Sequence, residues 1–108
     1  MGNLGQAKKG ESVVDANKAI TAAGTPEQLS TDHKFCDWIQ LQLAFGNTGA
    51  KGVVGFSNAV DIATNVGVVL GKGNTVTYEG IYLDEIWLDV DTNGDQFAVQ
   101  YKEKRKVG

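Results

Sequence analysis

Residues 35–102 alternate apolar and polar positions almost without interruption and contain no proline. In Phe35-Cys36-Asp37-Trp38-Ile39-Gln40-Leu41-Gln42-Leu43-Ala44-Phe45, the side chains of Phe35, Ile39, Leu41, Leu43 and Phe45 are expected on one side. A period of two is that of a half-buried strand, whose successive side chains leave opposite faces. Glu85-Ile86-Trp87-Leu88-Asp89-Val90 and Gln96-Phe97-Ala98-Val99-Gln100-Tyr101 repeat the rhythm. Between such runs lie turn residues: Gly46-Asn47-Thr48-Gly49, Gly71-Lys72-Gly73-Asn74 and Asp91-Thr92-Asn93-Gly94-Asp95. Asn93-Gly94 is the strongest hairpin signal, because both residues tolerate positive φ. Gly52-Val53-Val54-Gly55-Phe56-Ser57, Val66-Gly67-Val68-Val69-Leu70 and Thr75-Val76-Thr77-Tyr78 read as further strands, with a longer connection over residues 58–65.

The N-terminal part reads differently. Residues 1–17 carry Gly2, Gly5, Gly10, Lys8, Lys9 and Glu11 with little periodicity, and are assigned to an extended arm. The 12–20 stretch fits a short helix or a strand equally well. Residues 18–23 read as a partial first strand, broken by Gly24-Thr25-Pro26-Glu27, and Leu29-Ser30-Thr31 as a short edge strand. Short strands spaced by about ten residues, with no sustained 3.6-residue period, predict an all-β fold: an antiparallel β-sandwich or jelly roll. The expected organisation is an arm over residues 1–17 and one sandwich domain over residues 18–108.

With 108 residues the chain has room for one core. A net charge of -3 offers no basic field for nucleic acid, and no apolar run is long enough to cross a membrane. The first residues lack the apolar stretch of a signal peptide, so maturation in a cytoplasm is expected. The basic cluster over residues 102–106 reads as a solvated end that keeps an edge strand soluble. Cys36 is the only cysteine, which rules out an internal disulfide and fits a small buried side chain.

Candidate chemistry is sparse. Asp89, Asp91, Asn93 and Asp95 occupy the first, third, fifth and seventh places of a calcium loop, with Gly94 sixth. Its twelfth place is Gln100, which cannot give a bidentate carboxylate, and the flanks are strands, so a self-capping turn is preferred and no metal or cofactor is expected. His33 is the only histidine and has too few companions for a zinc site. Ser30, Asp32 and His33 are neighbours in one loop without a nucleophile elbow, and Gly71-Lys72-Gly73-Asn74-Thr75 lacks the spacing of a phosphate loop. Asp84, Glu85, Asp89 and Asp91 suggest no cleft, and Glu85 with Asp89 is expected to keep an outward strand face wet. No enzymatic role is expected. The tryptophans are better candidates. Alternation places Trp87 with Glu85 and Asp89, and Trp38 with Gln40 and Gln42, so both suit partner contacts, unless the N-terminal segment folds over one of them.

The order of Ile39-Gln40-Leu41-Gln42, Gly46-Asn47-Thr48-Gly49, Val53-Val54-Gly55, Val69-Leu70-Gly71-Lys72-Gly73-Asn74-Thr75-Val76 and Leu83-Asp84-Glu85-Ile86-Trp87-Leu88-Asp89-Val90, leading through Gly94-Asp95 to Tyr101, resembles a family of small β-sandwich virion proteins of tailed bacteriophages. The family's usual Val-Tyr-Val-Gly stands here as Gly52-Val53-Val54-Gly55, and its proline-glycine turn as Gly71-Lys72-Gly73. The resemblance implies a particle component without catalytic residues: a capsid decoration or cement protein, or a tail or fibre element, often trimeric. It implies a virion location after assembly in the host cytoplasm, with the major capsid protein or another virion protein as partner. The arm, with Lys8 and Lys9, would then lie across neighbouring subunits, beside contacts from Trp38 and Trp87. A glycan- or receptor-binding sandwich is the second reading, resting on the aromatics Trp38, Trp87, Tyr78 and Tyr82.

Overall fold

The computed structural model describes residues 13–104. They form an all-β fold of eight strands: β1 (Val13–Ala19), β2 (Glu27–Gln28), β3 (Phe35–Leu43), β4 (Lys51–Gly55), β5 (Val68–Gly71), β6 (Thr75–Tyr82), β7 (Trp87–Val90) and β8 (Gln96–Glu103). A short 3-10 turn, Leu83–Glu85, separates β6 from β7. Every pairing is antiparallel. One four-stranded sheet has the order β1-β8-β3-β6 and the other the order β2-β7-β4-β5.

The two sheets face each other across one apolar core. Ile39, Leu41, Leu43, Phe97 and Val99 come from the first sheet, and Val54, Leu70, Leu88 and Val90 from the second. Ile20, Leu83 and Ile86 fill in from the connections. Burial of this apolar area is the main stabilising term of the fold.

The chain passes between sheets at almost every connection. The 44–50 turn takes β3 of the first sheet to β4 of the second, the 72–74 turn returns β5 to β6, and the 91–95 turn carries β7 to β8. The expected Asn93-Gly94 hairpin is therefore an arch between sheets. Gly94 does adopt positive φ, +84°, and its N–H donates to the Ile20 carbonyl at 2.8 Å.

Two other expectations change. Residues 13–17, assigned to the arm, belong to β1, which pairs with β8 from Val13↔Lys102 to Ala19↔Gln96. Its stability comes from the backbone ladder, and it exposes Asp15 and Asn17, so apolar periodicity gave no sign of it. Residues 1–12 of that arm, including Lys8 and Lys9, lie outside the described residues. The long β3 also does not keep one period. A bulge between Cys36 and Trp38 sets Cys36, rather than Phe35, in the core with Ile39. Beyond the strand end, Phe45 is 73% exposed.

Gly52 sits where the two sheets approach closely. A Cβ there would lie 2.7 Å from Leu43 Cδ1 and 2.8 Å from Phe97 Cζ. Gly52→Ala is expected to lower unfolding free energy by about 1–3 kcal/mol through overpacking. Urea denaturation would show this as an earlier midpoint with an unchanged slope; an unchanged midpoint would mean the sheets can part without penalty.

Candidate functional site

The two tryptophans, expected as contact residues, lie on opposite outer faces of the sandwich. Trp87 projects from β7 on the outer face of the second sheet, but that face is not bare. Residues 56–67 fold back over it, and Val60 and Ile62 close a small second core on Val53 and Trp87. The side chain of Val60 occupies the space a Cβ at Gly55 would need. The loop is held by paired backbone hydrogen bonds between Asp61 and Val66, both 3.0 Å, and by Lys51 Nζ donating to Asn65 Oδ1 at 2.7 Å. The Ala63 N–H bonded to Asp61 holds that carboxyl below its ordinary range.

Asp89, expected to keep this face wet, is fully buried. Its Oδ1 accepts from Gly24 N–H at 3.0 Å and Val90 N–H at 2.8 Å. The rest of the apparent calcium loop behaves alike. Asn93 Oδ1 accepts from Ala23 N–H at 2.7 Å, and Asp91 Oδ2 from Ala50 N–H at 3.3 Å. The two Asp95 oxygens take Thr48 N–H at 3.0 Å and Gly49 N–H at 2.8 Å. Asn47 completes the set by exchanging two bonds with the Gln96 backbone, 2.9 and 3.0 Å. The oxygen-rich spacing thus serves backbone N–H groups of two neighbouring turns, 22–25 and 46–50, so it caps other segments more than its own. Among the described residues no three His, Cys, Asp or Glu side chains are grouped to hold a metal.

Tyr78 and Tyr82, the remaining glycan candidates, also point elsewhere. Tyr78 packs against the main core and meets Phe56 edge-on at 4.9 Å. Tyr82 stacks on His33 at 3.9 Å, and His33 Nδ1 lies 3.0 Å from Asp84. Cys36 is buried; burial first, then the Glu103 and Asp37 charges, pushes its thiol up to about 11. It is protonated at neutral pH and no nucleophile.

The outer face of the first sheet is uncovered by any other described element. Strand register sets Asp15, Gln100 and Gln40 in one row and Asn17, Ala98 and Gln42 in the next. Because Ala98 is short, these side chains border a shallow groove of about 410 Å³. Gln100 Nε2 donates to Asp15 Oδ1 at 2.7 Å, and Gln42 Nε2 to the Gly73 carbonyl at 3.1 Å. Trp38 is on the same face one row further, beside Lys102, with Glu79 on its other flank. Of the groove, sequence reasoning placed Gln40 and Gln42 beside Trp38. It missed Asp15 and Asn17, set in the arm, and Gln100, read as a failed calcium ligand. No apolar period marked Asp15 and Asn17, because Ala16 between them is exposed as well.

Apolar exposure also lies at edge strand β5: Phe56, Val66, Val68 and Val69 are each more than two-fifths exposed, with Val68 and Val69 on opposite sides of the strand. Comparison with models of known protein families and with curated proteins finds no match.

The two tryptophans should separate in a stability experiment. Trp87→Ala empties the second core and is expected to cost about 2–4 kcal/mol, whereas Trp38→Ala on the uncovered face should cost under about 1 kcal/mol. Equal costs in urea denaturation would show that the 56–67 loop does not depend on Trp87. Asp95→Ala strands the Thr48 and Gly49 N–H groups and is expected to cost about 2–3 kcal/mol. A melting temperature unchanged by that substitution would mean that water replaces the carboxylate without loss.

Proposed function

We propose that this chain is a structural component of a tailed-bacteriophage particle, a capsid decoration or cement protein that works by contact rather than catalysis. The observation that carries this reading is the strand order. Eight strands divided as β1-β8-β3-β6 against β2-β7-β4-β5 support assignment to the jelly-roll architecture, which serves viral capsid and lectin domains. The turns that carry the resemblance to virion sandwiches, residues 46–49 and 71–74, are the arches between these sheets.

The apolar flank supplies a physical reason for assembly. Phe56, at 56% exposure, and Val66, Val68 and Val69, at 41–48%, lie beside an edge strand, where both apolar area and unpaired backbone groups favour another chain. In this reading the flank joins copies of the chain, as a homotrimer, and the segment with Lys8 and Lys9 reaches the major capsid protein.

Light scattering after size exclusion is expected to show a trimer that Phe56→Ser combined with Val69→Lys converts to a monomer, with melting of the monomer retained. Mass spectrometry of purified particles should find the chain at fixed stoichiometry to the major capsid protein. A wild-type monomer at all concentrations would overturn the assembly role, and absence from particles the virion role.

A further inference from the structure

We propose that the groove on the outer face of β1, β8 and β3 binds a neutral polyhydroxylated ligand, a short glycan. This goes beyond a role in assembly and rests on a different surface. The chemistry of the groove is that of primary amides. Asn17, Gln40, Gln42 and Gln100 each present a carbonyl acceptor beside an amino donor. A sugar hydroxyl is likewise donor and acceptor at once, so vicinal hydroxyls match a row of amides as few other groups do.

Three observations narrow the ligand. First, among the described residues the only ionisable side chain bordering the groove is Asp15, whose Oδ1 Gln100 holds at 2.7 Å, and no described cation lines it. The nearest cation by register, Lys102, is engaged by Asp37 at 3.4 Å. A phosphate or carboxylate would meet a like charge there without a compensating one. Second, among the described residues the Asn17 and Gln40 side-chain amides have no protein hydrogen-bond partner, while Gln100 and Gln42 are themselves held by Asp15 and the Gly73 carbonyl. The unbonded amides are available to a ligand, and Gln100 and Gln42 bring theirs already held, which lowers the ordering cost of binding. Third, about 410 Å³ falls at the lower end of small-molecule sites, and Trp38 stands one row along the same face. The short Ala98 side chain opens the floor, and the indole stands beyond the groove, one row along the same face.

The test uses the full chain, labelled with nitrogen-15. It is titrated with neutral disaccharides spanning glucose, galactose, mannose, rhamnose and N-acetylglucosamine units, and with sialyllactose beside lactose. At least one neutral sugar is expected to produce saturable millimolar shifts in the side-chain amides of Asn17, Gln40 and Gln42 and in the Trp38 indole N–H. Gln40→Ala should weaken that binding about tenfold, the worth of roughly one good hydrogen bond, with melting unchanged. Lactose should bind at least as well as its sialylated form. Absence of saturable shifts across the neutral panel, shifts confined to other surfaces, or tighter binding of sialyllactose would each overturn the assignment. So would movement of the same resonances with protein concentration alone, which would make this face a contact between copies. The light-scattering test of the trimer reads a different surface, and of these outcomes only the last bears on how copies meet.

Discussion

Three buried polar side chains, Asp89, Asp95 and Asn47, hold together the turns on which the two sheets depend. Each meets backbone groups of a neighbouring segment: Gly24 for Asp89, Thr48 and Gly49 for Asp95, and Gln96 for Asn47. The turns they tie are arches between sheets, so their N–H groups have no ladder partner and would otherwise be left unsatisfied. Carboxylates accepting from backbone N–H are among the stronger hydrogen bonds available. Gly49 belongs to the same device: a side chain there would collide with Asp91 and Thr92. The sandwich is thus closed by its core in the middle and by polar lacing at one end.

This lacing explains why the most conspicuous motif in the chain was ambiguous. Oxygen side chains at alternate positions suit a cation and a set of converging N–H groups equally, and only the missing carboxylate at Gln100 and the strand flanks separated the two. The strands themselves were legible, because period-two alternation reports one buried face. Alternation cannot say which sheet a strand joins, and so Asn93-Gly94 read as a hairpin although it spans the sheets. Nor can it foresee a bulge such as that between Cys36 and Trp38, which exchanges Phe35 for Cys36 in the core. Asp89 looked solvent-facing because it does leave the outer side of its strand; what covers it is the distant 22–25 turn, through Gly24.

The two outer faces have opposite fates, which bears on what each can do. The second sheet spends residues 56–67 on covering its own face, so Trp87 is consumed in packing with Val53, Val60 and Ile62. The first sheet leaves a polar, amide-bordered face, with Trp38 one row further along it. In the proposed readings, contact with other molecules falls to that face and to the apolar flank around β5. The flank suits a protein neighbour, the face a hydroxyl-rich one, and the two need not compete.

The alternation of strands between sheets has a consequence for how the molecule forms. Only β4 and β5 are consecutive strands paired within one sheet, while β1, the first strand, pairs with β8, the last. Almost no pairing can be made early from adjacent sequence, and the loop-closure entropy of long separations opposes nearly every native contact. Such high contact order places folding in the millisecond-to-second range typical of non-local β topologies. It also leaves no autonomous half: neither sheet is complete until nearly the whole described chain has been made, so folding on the ribosome must wait for β8 to emerge.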